Sequence, residues 1–333
     1  MMKRSRNLIA FLITIAVMFL VSCGDAARQQ QNGSSIQFTA PTQYPSFSGA
    51  RAFELLERQV DFGPRVPGSP AHATCLAFYE QFFRSLNIAV ERQDFSMPGY
   101  DGSTLSLHNL IARIHPEAKR RVLFAAHWDS RPWADYDPNP DHALQPIPGA
   151  NDGASGVAVL LHLAELLAKT PPPIGVDIVL FDGEDYGHES DQAMFLLGSR
   201  YFSVTLDESA RPDFAILLDL VGDRDAVFPQ EEFSRTYAGD ILDFVWQAAA
   251  DLGFTRFTRK PHSPILDDHV PLNTVAGIKT INIIDAALVG HDKSSPRRQY
   301  WHTLEDTPEQ CSPGTLGEVG TLLMYIVFGL QQV

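Results

Sequence analysis

Cysteine is scarce in this 333-residue chain, three in all, so a disulfide scaffold is excluded. Positive charge is scarce too. Against 40 Asp and Glu stand 26 Lys and Arg, a formal charge of −14, and no basic stripe exists for a nucleic-acid partner. No apolar run reaches the roughly 20 residues that a membrane-spanning helix needs. The His-Glu-x-x-His pattern is missing, which removes the helix-borne zinc peptidases. Gly153-Ala154-Ser155-Gly156 lacks the spacing of a serine nucleophile elbow. There is no internal repeat and no second composition regime. An ordinary apolar fraction of 44% completes a chain suited to one large folded domain.

What is present begins at the N-terminus. Lys3, Arg4 and Arg6 form the one compact basic cluster. Leu8 to Val21 is apolar apart from Thr14, and Ser22-Cys23-Gly24 follows. A charged start, a short apolar stretch and small residues are the pattern of an export signal. Leu20-Val21-Ser22-Cys23 also resembles a bacterial lipobox, which makes Cys23 the lipidated mature N-terminus. The alternative is an uncleaved anchor helix with an incidental cysteine. Either reading places the rest outside the cytoplasm, as a periplasmic or cell-surface lipoprotein whose only membrane contact is its N-terminal anchor. Removing the leader takes the formal charge from −14 to −17, which favours solubility and disfavours anionic partners. The expected organisation is a signal peptide over 1–22, a flexible tether over 23–48 rich in Gln, Ser and Gly, and one catalytic domain over 49–333 acting as a monomer. Cys75 and Cys311 either pair or stay buried and free.

Helical spacing begins near Ala50 and is interrupted by the turn Gly63-Pro64-Arg65-Val66-Pro67-Gly68-Ser69. A second helix follows over Ala71 to Leu86. Beyond it, β-rich runs at Leu107–Ile114, Arg121–Ala126, Val176–Phe181, Phe214–Leu220 and Thr280–Ile284 alternate with helical patterns. Those patterns lie at Gly156–Ala168, near Leu197–Ser203, at Ala238–Leu252 and at Leu316–Leu330. The alternation predicts an α/β sheet covered by helices on both faces.

In such sheets sites form beyond the carboxyl ends of the strands, and there the acids and histidines gather. Arg121–Ala126 runs into His127-Trp128-Asp129, Val176–Phe181 into Asp182-Gly183-Glu184-Asp185, and Phe214–Leu218 into Asp219. The segment after Thr280–Ile284 leads to Trp301-His302-Thr303. Asp152 precedes a helix. Taken singly, Asp152 reads as an N-cap, the acidic pair as a solvated loop and each histidine as a structural residue. Their convergence on one edge of a sheet points instead to a metal site, because zinc takes carboxylate and imidazole ligands. His72, His108, His115, His142, His162, His188, His262 and His291 have no such context. His269, in Asp267-Asp268-His269, is intermediate.

His127-x-Asp129, Gly149-Ala-Asn-Asp152-Gly, Asp182-Gly-Glu184-Asp185 and His302-Thr-x-x-Asp-Thr307 resemble the zinc aminopeptidase superfamily over residues 50–330. The segments Leu217 to Gly222, Ile265 to Pro271, Gly198-Ser199-Arg200 and Trp301-His302-Thr303 are similar to the glutaminyl-peptide cyclotransferase branch. The resemblance implies a three-layer αβα sandwich around a mixed, mostly parallel sheet. It implies that Asp152, Asp185 and His302 bind zinc, with Glu184 as general acid/base supported by Asp219 and Asp267. Trp301 and His269 belong on this basis to the substrate pocket, and the substrates are peptides or proteins with N-terminal glutamine. One zinc ion is expected. An aminopeptidase would use two, with His127 and Asp219 completing the second site around Asp152. A membrane-tethered binding protein on an inactive scaffold is a third reading, opposed by the intact Glu184 and ligand set. Two departures stand out: Asp185 occurs where animal cyclases have Glu, and Ser190 lies near the place of a pocket tryptophan.

Overall fold

The computed structural model describes residues 36–332 apart from 101, 189–190 and 291–296, so Cys23, Ser190 and His291 lie outside the described residues. Helix α1 (Gly49–Val60) starts where the Ser48 hydroxyl accepts from the backbone N–H of Arg51. Helix α2 (Pro70–Ser85) starts in the same way at Ser69, with proline in its first turn. Eight strands follow among the described residues: β1 (Ala89–Pro98), β2 (Thr104–Ile114), β3 (Arg121–His127), β4 (Gly175–Phe181), β5 (Phe214–Asp219), β6 (Phe228–Glu231), β7 (Phe257–His262) and β8 (Thr280–Ile284). Between and after them come α3 (Ala154–Lys169), α4 (Leu197–Thr205), α5 (Glu232–Asp251), α6 (His269–Thr274) and α7 (Pro313–Gly329).

The main sheet has the order β1-β2-β4-β3-β5-β8. β1 pairs antiparallel with β2, and β2 antiparallel with β4. β4, β3, β5 and β8 are parallel to one another, so the sheet is mixed and its central part parallel. β6 and β7 form a separate parallel pair. Every residue of β4 and of β8 is buried, as expected for strands covered on both faces. One face packs Leu123, Ala125, Ala215 and Leu217 against Phe202 of α4 and Leu272 of α6. The other face receives α3 at very close range. A Cβ on Gly156 would stand 2.5 Å from the carbonyl oxygen of Leu218 and 2.9 Å from Cβ of Ala126. With α1 and α7 packed on α3, this is the three-layer αβα arrangement.

The folded unit runs from Gln37 to Val333, so it begins before the boundary expected at residue 49. Phe38 bridges to Leu330, and its ring lies 5.1 Å from that of Phe244 and 5.4 Å from that of Tyr325. Phe47 is buried, with its ring 4.6 Å from that of His162. Single aromatic anchors in a polar stretch carry no periodicity, which is why residues 37–48 read as a tether. Cys75 and Cys311 are both free and buried.

Candidate metal centre

Four strand ends and one helix start deliver the site. Asp152 sits in the turn before α3, where Gly153 has φ +90° and a Cβ would lie 2.6 Å from the carbonyl oxygen of Asp129. Only glycine lets that turn close so tightly. The turn is held from two sides. Asp306 accepts from the backbone N–H of Asn151 at 2.8 Å and of Asp152 at 3.1 Å. Arg65, fully buried, donates to the carbonyls of Trp128, Pro148 and Gly149 at 3.2, 2.7 and 2.6 Å. At the end of β4, the Asp129 carboxylate accepts from Glu184 N–H at 3.1 Å and Asp185 N–H at 3.2 Å. Below them Asp182 accepts from His108 N–H at 2.7 Å and meets Nε2 of His72 at 2.9 Å.

Asp152, Asp185 and His302 come together as one candidate ligand group, their donor atoms all within 4.8 Å of one another. Nε2 of His302 is 3.5 Å from Oδ2 of Asp185 and 3.7 Å from Oδ2 of Asp152. His302 has φ 55°, a conformation costing a non-glycine residue about 1–3 kcal/mol. Its carbonyl accepts from Tyr136 N–H at 3.2 Å, and the Trp301 ring stacks on its imidazole at 3.5 Å. A second group shares Asp152: Nε2 of His127 lies 3.1 Å from Asp152 Oδ1 and 3.3 Å from Asp219 Oδ1. The donor set fits zinc, since Oδ2 of Asp185 is buried with no hydrogen-bond partner and aims at His302.

Electrostatics follow from crowding acids in a poorly hydrated place. Burial, with the charge of Asp152, pushes Asp185 up to about 7. Burial, with Asp267 and Asp152, pushes Asp219 up to about 7. Glu184 is raised well above the carboxylate range, first by burial and then by Asp185, Asp267 and Asp268, with His127 pulling the other way. Burial alone would depress His127. Its contacts with Asp129, Asp152 and Asp219 win and raise it well above the usual imidazole value.

These groups open on a cavity of about 500 Å³ whose lining includes Glu184, Asp219, Asp267 and Trp301, with Phe195 and Leu266 as apolar wall. His269 is the exception among the expected pocket residues, and the expectation is corrected. It is fully buried at the start of α6, its Nε2 3.1 Å from Oε1 of Glu231, and it does not line the cavity. The first turn of α6 directs its ring towards the start of α5 instead. The supporting roles of Asp129 and Asp306 were within reach of the sequence, since both stand inside the quoted motifs. Arg65 and His72 carry no local signal, because their partners are 63 or more residues away, and the contact of Arg131 with Asp185 spans 54 residues.

The model of peptidase family M28 matches residues 109–327. A glutaminyl-peptide cyclotransferase of Gloydius blomhoffii is 27% identical over 299 residues, covering 79% of this chain and 76% of the relative. The crystal structure of a Bacteroides thetaiotaomicron glutaminyl cyclase superposes with a TM-score of 0.81 at 35% identity, covering 86% of this chain and 99% of that one. A Zn-dependent exopeptidase from Parabacteroides distasonis does so with a TM-score of 0.81 at 34% identity, with coverage of 86% and 99%. With this fold, this site and these likenesses, the chain belongs to peptidase family M28, among the relatives of the glutaminyl cyclases.

Proposed function

We propose that the protein is a zinc-dependent glutaminyl-peptide cyclotransferase that converts N-terminal glutamine of peptides or proteins to pyroglutamate and releases ammonia. The observation that carries this is an intact Asp152, Asp185 and His302 group in a cavity walled by Trp301, in a chain 35% identical to a glutaminyl cyclase whose crystallised chain it covers to 99%. Bound by these three residues, zinc supplies a Lewis acid for the side-chain amide carbonyl of the substrate glutamine. Glu184 takes a proton from the substrate α-amine as its nitrogen bonds to the γ-carbonyl carbon. It returns that proton to the amide nitrogen as the old carbon–nitrogen bond breaks, and ammonia departs. Burial and the neighbouring acids raise Glu184 above the carboxylate range, which favours its holding the proton between the two transfers. Trp301 and the apolar wall hold the glutamine in its ring-closing conformation, so positioning supplies much of the rate.

The proposal includes one zinc ion per chain. His127 meets both Asp152 and Asp219, at 3.1 and 3.3 Å, where a co-catalytic aminopeptidase would place a second metal. Incubation with a Gln-initiated and a Leu-initiated peptide, with zinc counted per chain, tests both parts. Ammonia from the first substrate and one zinc are expected; cleavage of the second with two zincs would replace the proposal by an aminopeptidase. We further infer export and lipidation at Cys23 at a bacterial membrane, supported by the basic, apolar and lipobox segments of residues 3–23.

A further inference from the structure

The loop after β3 carries a fully buried guanidinium, that of Arg131. Its Nε and Nη2 form a fork on Asp135, at 2.8 Å to Oδ1 and 2.6 Å to Oδ2. Its Nη1 donates to Oδ1 of Asp185 at 2.8 Å. The same nitrogen lies 3.3 Å from the carbonyl oxygen of Asp185 and 3.1 Å from that of Gly187. One group therefore grips both the side chain and the backbone of Asp185. Across the pair, Oδ1 of Asp135 lies 3.6 Å from Nδ1 of His302, an atom that is buried with no hydrogen-bond partner.

From this geometry we propose that Arg131 and Asp135 are a positioning pair that decides which atom Asp185 and His302 each present to the metal. The inference rests on the zinc reading above. Arg131 occupies Oδ1 of Asp185, so Oδ2, the orphaned oxygen facing His302, is the one left to bind. A free carboxylate could swing to offer both oxygens; a tethered one offers one. Asp135 faces the far nitrogen of the imidazole and directs Nε2 towards Asp152 and Asp185. Histidines that bind metals commonly give their other N–H to a carboxylate, which fixes the tautomer and ring orientation. Arg131 holds that carboxylate in place as well. Lysine could not replace it, since one ammonium cannot fork onto Asp135 and reach Asp185 together.

The test uses the full chain as wild type, Arg131→Lys, Asp135→Asn and the double variant. Zinc affinity is measured by chelator competition, the visible spectrum is recorded after cobalt(II) loading, and ammonia release from a Gln-initiated peptide is followed. Each single substitution is expected to weaken zinc binding about 10–100-fold and to alter the cobalt spectrum. The double variant is expected to be little weaker than the worse single one, because the pair acts as a unit. Wild-type zinc affinity and an unchanged cobalt spectrum in the variants would overturn the proposal. Should Arg131→Lys fail to fold, the nearly isosteric Asp135→Asn decides alone. A wild-type chain that binds no zinc or releases no ammonia strikes at the cyclase reading itself. Failure confined to the variants' expected defects strikes only at the positioning pair.

Discussion

Glu184 owes its place to Asp129, whose carboxylate takes its backbone N–H and that of Asp185 together. The two acids are thus set side by side while their side chains serve different ends. Asp185 turns one oxygen to Arg131 and leaves the other facing His302. Glu184 faces the cavity with Asp219 and Asp267. On this division of labour Glu184→Gln should lower ammonia release by several orders of magnitude and leave zinc content and affinity within about twofold of wild type. The substitution removes the group that moves protons and keeps the shape. Zinc lost together with activity would mean that base and ligand are misassigned.

The chemistry at the scale of elements depends on how closely α3 lies on the sheet. Asp152 immediately precedes that helix, so any outward shift of α3 moves a ligand. Gly156 is the contact that permits the approach, with Leu218 carbonyl on one side and Ala126 on the other. Gly156→Ala is expected to destabilise the fold by about 1–3 kcal/mol through overpacking, seen as a melting temperature several degrees lower. Weaker zinc binding should accompany it. An alanine variant that melts with wild type would show that α3 has room to spare. Strands β3, β4, β5 and β8 were legible in the sequence because buried parallel strands are continuous apolar runs. β1 was not, since along this edge strand only Phe95 is buried and no apolar alternation marks it. Helix α6, with six residues, is too short to display a helical period.

Across the whole molecule, the three cysteines report on the core and on the proposed anchor. Burial pushes Cys75 from 9.0 to about 11 and Cys311 well above its usual value. A raised thiol pKa means less thiolate at a given pH, about a hundredfold less for Cys75. At pH 8 the native full chain should therefore show no reactive thiol towards a disulfide reagent. Unfolding in urea should release two if Cys23 carries lipid. A third thiol, reactive without unfolding, would refute lipidation. No described helix is long and apolar enough to cross a membrane, so the proposed attachment rests on residues 3–23.

By itself the sequence determined the layered α/β architecture and placed acids and histidines at strand ends, because apolar periodicity and short motifs are local properties of the chain. It also named Asp152, Asp185 and His302, which the fold brings within bonding range of one ion. The tertiary structure alone decided how those residues are aimed. Arg131 selects between two chemically identical oxygens of Asp185, and Asp135 stands against the far side of His302. It alone moved His269 out of the pocket to Glu231, although that histidine lies two residues from Asp267, which lines the cavity. The physical reason is the same in each case. A hydrogen bond or ion pair depends on distance and angle in space, and partners 38 to 167 residues apart in the chain leave no pattern in the sequence between them.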